Sequence, residues 1–278
     1  MKRPGRSRPD PAGEPLPVVI PKLGSAGMHI RRGQVTLLVA EPNGWKTGLA
    51  TYWAVRLAQK GQRILYCSAD TDEHVMECRM VCMLTGLRFS EAEKARLQLP
   101  PSGEMEWNYY SESLMDLKTF YIDYNTDPDY DYLFELLLAQ NELWGSYPDL
   151  VVMDNLGNFV PGREDEWLAL HESIKTFKAY ARQTGSAFLV PHHANETSGD
   201  GTQPPKRKDI TGKVAKYPDA AIGIALDDES GTLHVAPLKS RTSKKSASGA
   251  STVDLYVDAD RMAVYNTAWD LKEGIAQI

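Results

Sequence analysis

A lysine and a threonine follow an apolar run in a pattern that could hold the phosphates of a nucleotide. Residues 33–47 read GQVTLLVAEPNGWKT, and a helical pattern continues from Leu49. An apolar strand that turns into Lys-Thr at the start of a helix is the layout of a phosphate-binding loop. In such loops backbone N–H groups hold the phosphates, the lysine reaches the β- and γ-phosphates and the threonine binds Mg²⁺. Lys46 and Thr47 meet this pattern.

Two positions of the loop depart from the glycines of the pattern. Ala40 stands in place of the first glycine, and Trp45 stands in place of the second, directly before Lys46. The second glycine lets the backbone turn and approach the phosphates closely, so the tryptophan is the larger change. The sequence leaves open whether ATP is hydrolysed. The loop residues expected to line the nucleotide are Glu41, Pro42, Asn43, Gly44, Trp45, Lys46 and Thr47.

Three further apolar strands end in side chains that could act on a bound triphosphate. They are Asp70 after residues 63–68, Asp154 at the end of residues 149–154, and His192 and His193 after residues 186–191. A carboxylate beside a phosphate loop can deprotonate the attacking water, which we expect of Asp70. Asp154 has the Walker B form, whose aspartate holds the Mg²⁺ shell. A histidine at the third strand end can sense the γ-phosphate.

The elements that position these residues alternate between strand and helix patterns. The predicted strands are residues 34–40, 63–68, 119–123, 149–154, 186–191, 220–226, 232–240, 252–257 and 261–266, and the predicted helices are residues 46–59, 72–85, 130–143 and 165–184. This order predicts an α/β fold with a mostly parallel twisted sheet, helices on both faces and an antiparallel C-terminal extension. Ligands of such sheets bind at the carboxyl ends of the strands, where the motifs fall.

The composition predicts one globular domain preceded by a short arm. The chain has 278 residues, 42% of them hydrophobic, which suffices for a single core. Residues 1–22 are rich in proline and basic side chains and predict a flexible arm, with residues 23–278 as the domain. Within it, residues 88–118 contain a Pro-Pro-Ser-Gly loop pattern and predict an irregular insertion.

Charge, hydropathy and cysteine content exclude several classes of protein. The net charge of −6 excludes a general polyanion binder, so nucleic acid must meet local basic patches. Apolar runs fall short of the ~18 residues of a membrane span, and a signal-peptide pattern is missing, so we expect no membrane partner. Three cysteines cannot all pair within one chain, which fits a reducing cytoplasm.

The set of strand ends resembles the RecA-type ATPase motor domain of the hexameric DnaB-like replicative helicases, over residues 23–266. The resemblance implies a P-loop NTPase core that uses ATP and Mg²⁺. In that family the second strand ends in a catalytic glutamate with an arginine nine residues later, matched here by Asp70 and Arg79. The pair His192-His193 resembles that of the small plasmid RepA-type members, and the overall pattern resembles such plasmid and phage-encoded members.

Lys239 and Arg241 resemble the Lys-x-Arg pair of the same family. There the two residues reach across a subunit interface to the γ-phosphate of the neighbour. The resemblance therefore implies that Lys239 and Arg241 act in trans in a homo-oligomer, a hexameric ring. From the residues alone they could equally be solvated charges at a sheet edge, which deter aggregation.

Two loops are candidates for contact with nucleic acid. In RecA-type rings the loops after the Walker B strand and the sensor strand line the central channel, and here these are residues 157–166 and 194–213. Their cationic residues are Arg163, Lys206, Arg207, Lys208 and Lys213. A basic cluster among Gly, Pro and Ser suits tracking of a single-strand backbone, so we expect single-stranded DNA as a partner.

Three functions fit these residues. The favoured one is an ATP-dependent DNA helicase or single-stranded-DNA translocase in phage or plasmid DNA replication or recombination, meeting other proteins of those processes in the bacterial host cytoplasm. The second is an ATPase-impaired DNA-binding ring or loader, with Trp45 distorting the phosphate loop. The third is a metal-dependent DNA nuclease, with metal held by Asp70, Asp154 and the two histidines.

Overall fold

One sheet carries all the strand ends singled out in the sequence. The computed structural model describes residues 13–98, 103–159, 166–195, 202–241 and 245–274. The strands are β1 (Val35–Ala40), β2 (Ile64–Ser68), β3 (Phe120–Asp123), β4 (Leu150–Asp154), β5 (Ala187–His193), β6 (Ala220–Asp227), β7 (Thr232–Lys239), β8 (Val253–Asp258) and β9 (Ala263–Tyr265). The helices are α1 (Pro21–Ser25), α2 (Lys46–Gln59), α3 (Glu73–Thr85), α4 (Phe89–Arg96), α5 (Gly103–Met115), α6 (Tyr130–Trp144), α7 (Glu166–Thr184) and α8 (Ala268–Glu273).

The strand order brings four motif-bearing strands side by side. In the described residues the nine strands run β3-β2-β4-β5-β1-β6-β7-β8-β9. The pairs from β3 to β6 are parallel, and the pairs from β6 to β9 are antiparallel. The predicted mostly parallel α/β sheet with an antiparallel extension is therefore confirmed. The carboxyl ends of β1, β2, β4 and β5 meet at one edge of this sheet.

The central strand β1 is buried along its whole length because helices cover both faces of the sheet. Leu38 and Ala40 of β1 belong to the core that α1 to α4 complete. Val35, Leu37 and Val39 point the opposite way and belong to the core that α6 and α7 complete. Successive side chains of a strand alternate between faces, so a strand buried on both faces reads as an uninterrupted apolar run.

Residues 13–22 pack on the domain, which differs from the flexible arm expected for residues 1–22. Leu16 and Ile20 are buried in the core beside α2. The N–H of Leu16 also donates a hydrogen bond of 2.9 Å to the carbonyl of Ile30. Isolated apolar residues between the prolines provide this anchor. Residues 1–12 lie outside the described residues.

The segment 88–118 contains α4 and α5 and so is not the irregular insertion expected from its prolines. Ala92 and Ala95 bury one face of α4. Trp107 of α5 packs on the core, and the guanidinium of Arg96 lies 5.3 Å from its ring centroid. The proline pattern therefore lies between two helices, of which α4, with eight residues, has too little apolar periodicity to stand out in the sequence.

Among the described residues, none of the helices is both long and apolar enough to cross a membrane. The cysteines Cys67, Cys78 and Cys82 are buried free thiols. Burial raises the pKa of each thiol, which keeps the sulfur protonated and unreactive.

Candidate nucleotide-binding site

The loop between β1 and α2 keeps the backbone of a phosphate loop in spite of its tryptophan. Trp45 has φ 62° and ψ 27°, which is the left-handed conformation that glycine adopts most readily. Asn43 has φ 60°. Gly44 remains glycine where a Cβ would lie 2.7 Å from the Cβ of Ala40. Trp45 therefore changes the side chain at the turn without removing the turn.

The indole of Trp45 lies against Gly48 in the first turn of α2. A Cβ at Gly48 would meet Cδ2 and Nε1 of Trp45 at 2.7 Å, closer than two unbonded atoms can approach. Glycine costs about 1 kcal/mol relative to alanine inside a helix, so its presence indicates a packing reason. This pair was not predicted from the sequence, although a glycine within the first turn of a helix was a usable indication.

Lys46 is buried at the start of α2 with its amine among loop carbonyls. Its Nζ donates hydrogen bonds to the carbonyl of Glu41 at 2.9 Å and to that of Ala40 at 3.4 Å. Burial lowers the pKa of Lys46 to about 8, against the opposing effect of the Asp154 and Asp70 carboxylates. An anion that enters the loop would therefore stabilise the charged form of this amine.

Asp154 and Thr47 contact each other below the loop. The buried Asp154 carboxylate accepts hydrogen bonds from the Thr47 side chain and, at 2.8 Å, from the hydroxyl of Tyr66. Burial raises the pKa of Asp154, and these two hydrogen bonds oppose the shift. An adjoining hydroxyl and carboxylate are the oxygen ligands that Mg²⁺ prefers, so this pair fits the ion. Tyr66 was missed, although a buried tyrosine hydroxyl in an apolar strand needs a partner.

Asp70 lies at the same edge, after β2, and is held by the residue that follows Asp154. Nδ2 of Asn155 donates to Oδ2 of Asp70 at 2.9 Å, and Oδ1 of Asn155 accepts from the N–H of Gly157 at 2.8 Å. Asn155 thus fixes the exposed carboxylate against the turn after β4. Arg79 of α3 lines the same cavity.

The two histidines face different partners. The strand β5 continues through His193, beyond its predicted end at residue 191. His193 lines the cavity, and its buried Nδ1 has no hydrogen-bond partner among the described residues. His192 instead donates from Nε2 to the carbonyl of Thr211 at 3.0 Å. Burial lowers the pKa of both, that of His192 to about 4, so both rings are neutral at pH 7.

These side chains surround a cavity of about 550 Å³ at the carboxyl edge of the sheet. Trp45 forms part of its wall and leaves this volume open, and Phe89, Ala259 and Met262 form the far wall. Small-molecule sites commonly measure about 300–1,000 Å³, and the volume of this cavity lies within that range. The far wall was missed because it joins α4 to the turn between β8 and β9, which are distant in sequence.

Lys239 and Arg241 lie at the opposite edge of the sheet. The strand β6 begins beside the start of β1, where Ala220 pairs with Thr36. The antiparallel β7 returns to that edge, where Lys239 pairs with Ala221. The length of β1 separates the two edges by roughly 17 Å. The pair therefore cannot reach the phosphate loop of its own chain.

The two cations at this edge differ in how firmly they are held. The amine of Lys239 donates to three carbonyls, those of Ala215, Lys216 and Pro218, at 3.1, 2.7 and 2.7 Å. Burial lowers the pKa of Lys239 to about 8, and the nearby Lys178 acts in the same direction. Arg241 has a side chain that is 56% exposed, with Nη2 3.3 Å from Asp219.

The basic segment after β5 is folded where the structure describes it. Residues 207–209 and 211–216 form short 3₁₀ helices, and Ala194 bridges to Ile210. Lys206, Lys208 and Lys213 are exposed and Arg207 is half-buried. The hydrogen bond from His192 to Thr211 connects this segment to the carboxyl edge of the sheet. Arg163 lies outside the described residues.

The strand-end carboxylates and histidines do not form a metal cluster. Within the described residues, no three His, Cys, Asp or Glu side chains are close enough to share a metal ion. His192 also directs its Nε2 to a backbone carbonyl. This geometry gives the nuclease hypothesis no support.

Comparison with known proteins agrees with the fold. A family model described as an AAA domain matches residues 19–199, more than half of the chain. The Gene 65 protein of Mycobacterium phage L5 is 27% identical over 259 residues, which cover 91% of this chain and 93% of that protein.

Two solved structures are similar over most of the chain. One, described as an ATPase domain, has a TM-score of 0.77 at 13% identity and covers 91% of both chains. A DnaB-like replicative helicase, described with its interactions with primase, has a TM-score of 0.76 at 14% identity, covering 91% of this chain and 62% of its own. These likenesses confirm the expected fold.

Proposed function

The chain belongs to the AAA domain family, and from this premise we propose that it is an ATP-dependent DNA helicase or single-stranded-DNA translocase in phage or plasmid DNA replication or recombination. The observation that carries the proposal is the open cavity at the carboxyl edge, with Lys46, Thr47 and Asp154 on its wall. The fold shared with a DnaB-like replicative helicase and the similarity to a phage protein support it.

We assign ATP to this cavity. The N–H groups of the loop and the N-terminus of α2 would hold the phosphates, with the ammonium of Lys46 against their charge. Thr47 and Asp154 would hold Mg²⁺, which when bound neutralises charge on the phosphates. Asp70, fixed by Asn155, would accept the proton of the attacking water. His193 would lie beside the terminal phosphate, neutral and with an unused ring nitrogen.

The opposite-edge position of Lys239 and Arg241 supports a ring of identical chains. A neighbouring chain would bring its own pair to the phosphate loop, as an arginine finger does in phosphoryl transfer, where it contributes about 10³–10⁵ in rate. Arg241 is the freer side chain, since Lys239 is bound by carbonyls of its own chain. We therefore assign the contact with the neighbouring nucleotide mainly to Arg241, and we propose a hexamer.

The adjacent positions of His192 and His193 support DNA binding by the basic segment. His193 faces the cavity and His192 holds Thr211, so a change at the phosphate can shift the segment that carries Lys206, Arg207 and Lys208. Single-stranded DNA would follow these cations through its backbone. Other replication or recombination proteins are further proposed partners.

The test is ATP turnover with and without single-stranded DNA. We expect turnover that DNA stimulates, loss of nucleotide binding in Lys46→Ala, and loss of the stimulation alone when Lys206, Arg207 and Lys208 are all changed to Ala. Absence of nucleotide binding in the unchanged chain would contradict the proposal. It would favour the second hypothesis, a DNA-binding ring or loader without ATPase activity.

A further inference from the structure

Three aromatic rings form a row where α7 meets the segment after β5. The ring of Trp167 lies 3.8 Å, centroid to centroid, from that of His171, and His171 lies 4.6 Å from Tyr217. We call Trp167, His171 and Tyr217 the aromatic row. The row joins the first turns of α7 to the end of the 3₁₀ segment 211–216.

The inner part of the row is rigid and its outer end is open. His171 is 1% exposed, and its Nε2 donates to the carbonyl of Gly212 at 2.9 Å. Trp167 is 46% exposed although it is the largest apolar side chain of the region. An indole on a fixed support with nearly half its surface in water offers a π face to a flat ligand.

Cations surround the aromatic row. The ammonium groups of Lys175 and Lys216 lie 5.3 and 4.8 Å from the ring centroid of Tyr217. The exposed Lys213 directly follows Gly212, whose carbonyl His171 holds. In the segment 206–217, which ends at Tyr217, five Lys and Arg residues stand against one acid, Asp209, whereas Glu164, Asp165 and Glu166 directly precede Trp167 in the sequence. An indole beside this cationic segment matches an unpaired nucleobase next to its phosphates.

We propose that Trp167 stacks on a base of the bound single strand and makes the site selective for single-stranded over double-stranded DNA. This inference rests on the proposed function, since it specifies how that function's DNA is held. The bases of a duplex are stacked on one another, so only an unpaired base offers its face to the indole. The cations from Lys206 to Lys216 then neutralise the phosphates on either side.

The test measures the affinity of the full-length chain, with a nonhydrolysable ATP analogue, for fluorescein-labelled oligo-dT and for a blunt DNA hairpin. Stacking contributes ~1–3 kcal/mol per base, so Trp167→Ala should weaken oligo-dT binding about 5- to 150-fold. Hairpin binding should change less than about twofold, because it depends on the cations. Trp167→Phe should keep most of the affinity, and Trp167→Leu should lose it because leucine has no π face.

The matched control is Trp269→Ala, which removes another exposed tryptophan, 60% exposed, in α8. It should leave oligo-dT affinity unchanged. Nucleotide binding at Lys46 shows that each variant is folded, and the Phe and Leu variants replace Ala if that one fails to fold. Equal oligo-dT affinities for wild type and Trp167→Leu would overturn the inference, while DNA binding that still depends on Lys206, Arg207 and Lys208 would leave the proposed function intact. A wild-type chain that binds no DNA would contradict the proposed function itself.

Discussion

Trp45 and Gly48 together show how a phosphate loop can carry a bulky residue at a glycine position. The backbone of Trp45 adopts the left-handed conformation, and the space for its indole comes from the missing side chain of Gly48. The left-handed conformation costs roughly 1 kcal/mol for a residue with a Cβ. Packing of the indole against the core offsets this cost. The two residues are therefore expected to depend on each other.

A double-mutant cycle tests this dependence. Gly48→Ala in the wild-type chain should lower both nucleotide affinity and the free energy of unfolding, because the new Cβ displaces the indole. In a Trp45→Gly background the same change should be neutral or stabilise by up to ~1 kcal/mol through helix propensity. We expect a coupling energy of about 0.5–3 kcal/mol from urea unfolding of the four variants. Additive effects would contradict the pairing, and tighter nucleotide binding by Trp45→Gly alone would show that the indole obstructs the loop.

The pKa of Lys46 predicts how nucleotide affinity depends on pH. Burial places this pKa at about 8, so the free chain loses the ammonium above that pH. Binding of a triphosphate then requires proton uptake, and affinity should fall by up to about tenfold per pH unit above 8. Isothermal titration calorimetry with a nonhydrolysable ATP analogue, over about two pH units from pH 7.5 to pH 9.5, measures this slope.

Lys46→Arg is the control for this slope, because an arginine keeps its charge over the whole range and its affinity should vary less with pH. A loss of stability through Lys46 would not explain a fall in nucleotide affinity at high pH. The pKa of Lys46 is lower in the folded chain, so between about pH 8 and 10.5 the unfolded chain binds more protons and the contribution of this group to stability rises with pH. Equal pH slopes of nucleotide affinity for the wild-type chain and Lys46→Arg would contradict the assignment of this slope to Lys46.

At the scale of elements, Lys239 joins the end of β7 to the turn that precedes β6. Its amine satisfies three carbonyls of residues 215–218. Lys239→Met should leave them without a donor and lower the free energy of unfolding by about 1–3 kcal/mol. Arg241→Ala removes a half-exposed arginine from the buried Asp219, which Lys178 still pairs with at 3.0 Å, and should cost less than ~1 kcal/mol. Urea denaturation compares them, and equally small losses would show that Lys239 does not hold this turn.

The elements that could be predicted from the sequence are those with long apolar runs. The strands β1, β4 and β5 were predicted within about two residues because burial on both faces leaves a nearly continuous apolar pattern. The short helices α1 and α8 were missed, since five or six residues carry too little periodicity. Proline content suggested a flexible start to the chain, while single residues such as Leu16 and Ile20 decide its packing.

The candidate site could be predicted only in part, because strand order is not encoded in local patterns. Lys46, Thr47 and Asp154 follow apolar strands in recognisable motifs, and the structure brings them together. Phe89 and Met262 reach the same cavity through the hydrogen bond from the N–H of Phe89 to the carbonyl of Asp260, a contact between distant segments. Neither residue belongs to a sequence motif, so only the folded structure shows that both line the cavity.

At the scale of the whole molecule, each nucleotide site would combine two chains. Lys46 lies at one edge of the sheet and Arg241 beyond the other, so a complete site of the proposed kind would need the carboxyl edge of one chain and the amino edge of the next. Lys46→Ala and Arg241→Ala chains should each be inactive as pure rings. In an equal mixture roughly one interface in four pairs an intact Lys46 with an intact Arg241.

The mixture should therefore recover a measurable part of DNA-stimulated ATP turnover that neither pure variant shows. A mixture as inactive as its components, with mixed rings confirmed by native mass spectrometry, would place Arg241 outside the site. Two Lys46→Ala preparations mixed with each other are the control and should stay inactive.

Division of the proposed site between the two edges of the sheet would make ATP turnover depend on the abundance of the protein. Isolated chains would bind ATP without hydrolysing it. Doubling the concentration of a dilute population would raise ATP turnover far more than twofold. A cell that had just begun to make the protein would contain a silent pool. Activity would then rise abruptly once neighbours become common.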